Sequence, residues 1–310
     1  MLTSVIRESL PGLVLTARTK NQIGSSLAHR LAHLEGVVAE IRSLVGPFGT
    51  LFPDGTMLVQ TIHGLKYFID PSDEVMAPQL VVYRQWEPEL SKFILNSVTS
   101  DTVFVDVGAN FGYFTCLAAS RIGRDGKGKV ISIEPNPAME RLLQKNCRIN
   151  WSLSPIDIHE CAMGERAGSV HLVVPRGRAA NAAIVTRLAN AGEERLSVAA
   201  QSLDDLLEGA AVDLIKVDVE GFETAVLRGA HNTIRNCNTI HVVLEWSLNQ
   251  MEAAGFRADD LLKVFSEQHL DPYHLPPSKF IDKTDWPKFR IVTEALRTTK
   301  YENILLRRDL

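Results

Sequence analysis

The chain has 310 residues, 45% hydrophobic and 23% charged, proportions that exclude an extended disordered tail or a fibrous protein. Lys and Arg number 33 against 37 Asp and Glu, a formal charge of −4. So small and mixed a balance argues against a protein built mainly to grip a nucleic-acid backbone. At roughly 150 residues per domain the length allows one large domain, or a large domain with an appendage.

The N-terminal apolar stretch is interrupted by Glu8 and Pro11, which makes a poor signal peptide. No apolar run approaches the ~18 residues that span a bilayer. Cys116, Cys147, Cys161 and Cys237 form no C-x-x-C pair and read as reduced, partly buried thiols. A cytoplasmic protein without a membrane span or a nucleic-acid partner is expected.

From Asn21 to Gly46, Ile23, Leu27, Leu31, Leu34, Val38, Ile41 and Val45 recur at steps of four and three, which predicts a helix with one apolar seam. The heptad-like spacing suits either a helix lying on its own domain or a homodimer contact. Short apolar runs between Phe48 and Asp70, broken by Pro53-Asp54-Gly55 and His63-Gly64, predict small antiparallel strands. Trp86-Glu87-Pro88-Glu89-Leu90 opens a helix with proline in its first turn. Residues 1–84 thus read as a helical and hairpin cap, and 85–310 as the main domain.

From Asp101 strands and helices alternate. Strands are expected at Val103–Val107, Val130–Ile133, Ile156–Cys161, Leu214–Val219 and Ile240–Leu244. Helices are expected at Phe114–Arg121, Ala138–Asn150 and Phe222–Arg235. Alternation of this kind predicts an α/β fold with a parallel sheet covered on both faces. Residues 176–200 show no clean period and read as a surface insertion or mobile loop. Two late strands are expected near Tyr273–Leu275 and Asn303–Leu306.

Val105-Asp106-Val107-Gly108-Ala109-Asn110-Phe111-Gly112-Tyr113 is a strand, a tight small-residue turn and a helix start, the place where open α/β folds bind ligands. G-x-N-x-G stands where a dinucleotide site wants G-x-G-x-x-G. The acid Asp106 inside the strand end suits a ligand bearing a cation. Glu134 ends the next strand and has the chemistry to accept both hydroxyls of a ribose. The two together predict a nucleoside-binding site. Lys216, Asp218 and Glu220 alternate and are expected to share one face of the fourth strand, with Glu245 ending the fifth.

VDVGANFGYFT, ISIEPNP, DLIKVDVEGFETAVLRGA and VVLEW, with the upstream WEPEL, resemble the FkbM-type methyltransferases, a branch of the class I S-adenosylmethionine-dependent enzymes, over roughly Gln85 to Glu245. The resemblance implies a Rossmann-like, mostly parallel sheet with an antiparallel last strand. It implies cofactor contacts from Glu87, Asp106, Gly108, Asn110, Phe111, Gly112, Tyr113, Thr115, Glu134, Asn136, Cys161 and Ala162. It also implies S-adenosyl-L-methionine as cofactor and a small-molecule hydroxyl acceptor, a sugar or natural product. Catalysis then falls to Asp218, Glu245, Glu220 and Lys216. Asp218 and Glu245 could hold Mg²⁺, as at the corresponding strand ends of catechol O-methyltransferases, or one of them could act as base. An NAD-dependent oxidoreductase and a noncatalytic adenosyl-binding module remain the alternatives.

Overall fold

The computed structural model describes residues 49–175, 181–184, 193–237, 239–276 and 285–308. The heptad-like helix expected at 21–46 lies outside the described residues. The contact pattern separates Met1–Pro47 from Phe48–Leu310, and all the described elements belong to the second unit.

Three short strands, β1 (Gly49–Leu51), β2 (Met57–Gln60) and β3 (Lys66–Ile69), form the expected antiparallel sheet. Helices α1 (Met76–Val82) and α2 (Pro88–Ser97) come next. The α/β alternation then runs β4 (Val103–Val107), α3 (Tyr113–Ile122), β5 (Lys129–Ile133), α4 (Pro137–Ile149) and β6 (Ile156–His159). Asn136 caps α4 by accepting the Ala138 N–H at 3.0 Å, and Pro137 sits in its first turn.

Beyond β6 lie β7 (Ala162–Met163), β8 (Gly168–Pro175), β9 (Ala183–Ile184) and β10 (Glu193–Gln201), a four-stranded sheet in the order β7-β10-β8-β9. The expectation of a loop over 176–200 is corrected for its last part: Glu193–Gln201 pairs antiparallel with Gly168–Pro175 along nearly its whole length, while 176–180 and 185–192 lie outside the described residues. Most residues of β10 are exposed or half-exposed, so its apolar alternation is weak and the strand is held by its partner.

Helix α5 (Leu203–Leu207) leads to β11 (Leu214–Val217), α6 (Glu223–Arg228), α7 (His231–Asn236) and β12 (His241–Ser247). The single helix expected over 222–235 is interrupted at Gly229, where an added Cβ would lie 2.0 Å from the Gly164 carbonyl oxygen. That close backbone approach ends one helix and starts another. Helices α8 (Leu248–Ala254) and α9 (Ala258–Glu267), strand β13 (Asp271–His274), helix α10 (Thr293–Leu296) and β14 (Tyr301–Arg307) complete the chain.

The central sheet has seven strands in the order β13-β14-β12-β11-β4-β5-β6. Strands β12, β11, β4, β5 and β6 are parallel, and β14 lies antiparallel against β12. This is the expected Rossmann-like sheet with an antiparallel last strand. β4 and β11 read as near-continuous apolar runs because both faces are covered. On one face Ile215, Val217, Val242, Leu244 and Trp246 pack with the helices after β11. On the other, Phe104, Val130, Leu214 and Val243 pack with α2, α3 and Tyr67 of the small sheet. Each such side chain, fully buried, contributes about 1.5–3 kcal/mol. Among the described residues no helix is long and apolar enough to cross a membrane.

Candidate functional site

The carboxyl ends of the parallel strands open into one cavity of about 280 Å³, whose wall includes Gly108, Asn110, Glu134, Cys161, Lys216, Asp218, Glu220, Glu245 and Tyr301. The strand order sets these groups in a row. Glu134 follows β5, Gly108 follows β4, Asp218 follows β11, Glu245 belongs to β12 and Tyr301 begins β14. Neighbouring strands are about 4.8 Å apart, so the row runs from an apolar end beside Cys161, Ala162 and Met163 to a carboxyl-rich end at Asp218, Glu220 and Glu245.

Gly108 is the narrow point. Its φ is +77°, and a Cβ there would lie 1.8 Å from the Asp218 carbonyl oxygen, so only glycine lets the two loops meet. Asn110 also adopts a left-handed conformation, φ 55°. Glu134, 6% exposed, accepts the Asn110 N–H at 2.7 Å and the Asn136 N–H at 2.8 Å. Two of its lone-pair positions are thereby used and two remain. Burial pushes its pKa up to about 7, against the pull of those two N–H groups. Cys161, Ala162, Met163 and Leu172 supply an apolar wall beside it.

Beneath the row lies a buried charge cluster. The Lys216 ammonium is 3.0 Å from Asp218 and 3.5 Å from Asp106, with side-chain exposures of 3%, 28% and 0%. Burial alone would lower the Lys216 pKa, but Asp218 and Asp106 together raise it. Asp106 also accepts the Thr115 hydroxyl at 2.6 Å, and burial raises its pKa despite Lys216.

Of the sequence-based cofactor residues, Glu87, Gly108, Asn110, Phe111, Tyr113, Glu134, Cys161 and Ala162 line the cavity. Asp106, Gly112, Thr115 and Asn136 stand behind the wall. Asp106 holds Lys216 from below and is itself held by the Thr115 hydroxyl. Gly112 packs on Leu143, and Asn136 caps α4. Lys216, Asp218, Glu220 and Glu245 all reach the cavity. One detail is corrected: β11 ends at Val217, and Glu220 lies beyond it with φ 55°, so Glu220 is presented by a turn rather than by the strand face.

Groups missed from the sequence complete the site. Asn181 donates to Glu220 at 3.0 Å and Gln250 donates to its other oxygen. Asn303 on β14 donates to Glu87 at 2.7 Å. Burial, then Asp218, raises both Glu87 and Glu220 to about 7. Glu245, 8% exposed, is raised well above the usual carboxylate range by burial, then by Asp218, Glu220 and Glu223. Tyr301, in the cavity wall with Glu245, is raised by its own burial and by that carboxyl.

The expected metal pair does not fit. Lys216 already neutralises Asp218 from 3.0 Å. Among the described residues no group of three His, Cys, Asp or Glu is placed to hold a metal ion. S-adenosylmethionine does fit: a bare-backbone cradle at Gly108, a buried carboxyl with spare acceptor positions at Glu134, and carboxyls for its two cations.

The family profile described as "Methyltransferase FkbM domain" matches residues 106–271. The chain is 27% identical over 188 residues to the hexuronic acid methyltransferase AglP of Haloferax volcanii, covering 59% of this chain and 70% of that one. It is 25% identical over 163 residues to the methyltransferase sdnD of Sordaria araneosa, covering 43% of this chain and 62% of that relative. An S-adenosylmethionine-dependent O-methyltransferase from Thermotoga maritima aligns at 15% identity over 82% of this chain and 77% of that one, with a TM-score of 0.40, too distant a likeness to bear on chemistry. The profile covers more than half of the chain and sets the NAD-dependent alternative aside. The chain belongs to the FkbM methyltransferase family and is an S-adenosylmethionine-dependent methyltransferase.

Proposed function

We propose that this enzyme methylates a hydroxyl oxygen of a small molecule, a sugar or a natural product with sugar-like hydroxyls. The observation that carries the reading is the row Glu134, Gly108, Asp218, Glu245 along one cavity, an apolar end with a buried carboxyl joined to a polar, carboxyl-lined end. The name of the Haloferax relative, a hexuronic acid methyltransferase, supports a sugar-type acceptor. The working site belongs to the domain 85–310, with residues 49–84 as part of its cap.

Bound S-adenosylmethionine supplies a methyl group on a sulfonium. Methyl transfer is an in-line displacement, so the protein's task is to align two reactants and receive one proton. Glu134 would hold the ribose hydroxyls, with the Asn136 and Asn110 N–H groups fixing its carboxyl. Glu87, held by Asn303, would bind the amino group of the cofactor's methionine part. Asp218 would accept the hydrogen bond of the acceptor hydroxyl and take up the proton that this oxygen loses on methylation. Lys216 fixes the direction of the Asp218 carboxylate. Asp106 in turn fixes Lys216, and Thr115 holds Asp106. Glu220 and Glu245 bind the acceptor.

The test is turnover of a polyol panel with S-adenosylmethionine, read as S-adenosylhomocysteine formed. Asp218→Asn is expected to lower kcat by about 10²–10⁴-fold, the usual worth of a positioned base, with cofactor affinity kept. Full activity in that variant would remove Asp218 from the proton transfer.

A further inference from the structure

The acceptor end of the cavity is rich in hydrogen-bond acceptors and short of donors. Among the described residues, three buried atoms there lack any partner: Glu245 Oε2, Asn181 Oδ1 and Gln250 Oε1, and all three residues line the cavity. The amide nitrogens of Asn181 and Gln250 are turned to Glu220, which leaves their oxygens as the unmatched atoms. Glu245 is 8% exposed, so its free oxygen is not satisfied by bulk water, and an unmade hydrogen bond at such depth is costly.

Charge points the same way. Among the described residues that line the cavity, Lys216 is the one cation, and it is already shared between Asp218 and Asp106. Glu87 and Asp218 would answer the two positive groups of S-adenosylmethionine. Glu220 and Glu245, at the β12 and β14 side of the row, are left without a counter-charge.

We propose that the acceptor carries a protonated amine beside its reacting hydroxyl, as an amino sugar does, held by Glu220 and Glu245 with the Asn181 and Gln250 carbonyls. An ammonium brings three N–H donors and one positive charge, which matches three orphan acceptors between two carboxyls. The carboxylate of an acidic acceptor would bring no hydrogen-bond donor to these orphan atoms, and its charge would oppose the ionisation of Glu220 and Glu245. Burial raises Glu220 to about 7 and lifts Glu245 well above the usual carboxylate range. An arriving ammonium favours their ionised forms, so its binding releases protons.

The inference rests on the methyl-transfer reading, and its test is binding rather than turnover. The full chain, saturated with S-adenosylhomocysteine, is titrated calorimetrically with glucosamine, glucose and glucuronate in buffers of different ionisation heat. Glucosamine is expected to bind at least about ten-fold more tightly than glucose, the worth of one charge-assisted hydrogen bond, with protons released. Glucuronate is expected to be weakest. Glu245→Gln and Glu220→Gln, each near-isosteric, should each shrink the preference for glucosamine. Equal binding of glucosamine and glucose, a preference for glucuronate, no binding of any of the three, or an unchanged preference in both variants would overturn the inference and leave methyl transfer standing. Failure of S-adenosylhomocysteine itself to bind would instead remove both.

Discussion

The Lys216 ammonium lies 3.0 Å from the Asp218 carboxylate and 3.5 Å from Asp106, so one buried cation joins β4, which ends at the Gly108 turn, to the acid that follows β11. Both carboxylates depend on it: Asp106 is fully buried, and no other Lys or Arg is within salt-bridge distance of it among the described residues.

Replacing Lys216 by methionine keeps the length and removes the charge. Breaking a buried pair from one side costs about 3–5 kcal/mol, and that loss is expected in the urea unfolding free energy. Lys216→Met combined with Asp106→Asn should recover part of it, because the stranded charge is then gone. A double variant no more stable than the single one would mean that Asp106 is not the burdened partner.

Gly108→Ala places a Cβ on the Asp218 carbonyl oxygen and asks a residue with a side chain to hold φ +77°. We expect a lower Tm and at least a ten-fold loss of S-adenosylhomocysteine affinity, about 1.4 kcal/mol. Gly55, with a similar φ of +83° and nothing within 4 Å of its added Cβ, is the control. Gly55→Ala should show the backbone strain without the loss of binding.

Glu134→Gln keeps the shape of the ribose acceptor but leaves one oxygen where two backbone N–H groups now converge on two. Hydrogen bonds to a charged group are worth about 1.5–3 kcal/mol, so affinity for S-adenosylhomocysteine should fall about ten- to a hundred-fold in calorimetry. Unchanged affinity would take Glu134 out of the cofactor site.

Glu223 is 1% exposed and accepts the N–H groups of Val219 and Gly221, each at 3.2 Å. Burial raises its pKa from 4.5 to about 7. The folded state therefore binds this proton more tightly than the unfolded chain. Its contribution is complete below pH 4.5 and is lost as pH rises through about 7. Glu223→Gln, which keeps an oxygen for both N–H groups, should stabilise the protein at pH 8 by about 1–3 kcal/mol, with the gain shrinking toward pH 4. A stability difference that does not change with pH would contradict the buried titration.

The parallel sheet was legible because β4, β5, β11 and β12 are covered on both faces, and their apolar runs therefore stand out between turn residues. β10 did not stand out, since its partner β8 rather than an apolar face holds it. Gly108, Glu134 and Asp218 were readable because each sits where a strand ends. Asn181, Gln250, Tyr301 and Asn303 were not. Each is an ordinary polar residue whose place in the wall comes from sheet order and long-range packing, as in the Asn303 contact to Glu87 across 216 positions. Glu220 was read onto the strand because its spacing from Asp218 is even, and the strand's end at Val217 is a tertiary feature that spacing does not reveal.

The central claim, methyl transfer to oxygen in this cavity, is tested most directly by NMR of the product formed from S-adenosylmethionine carrying a carbon-13 methyl and an acceptor offering both hydroxyl and amine groups, such as glucosamine. The account predicts that the labelled carbon appears as a methoxy group coupled to a sugar C–H, and that Asp218→Asn suppresses its formation. A labelled methyl on nitrogen or carbon, or equal transfer by Asp218→Asn, would contradict it.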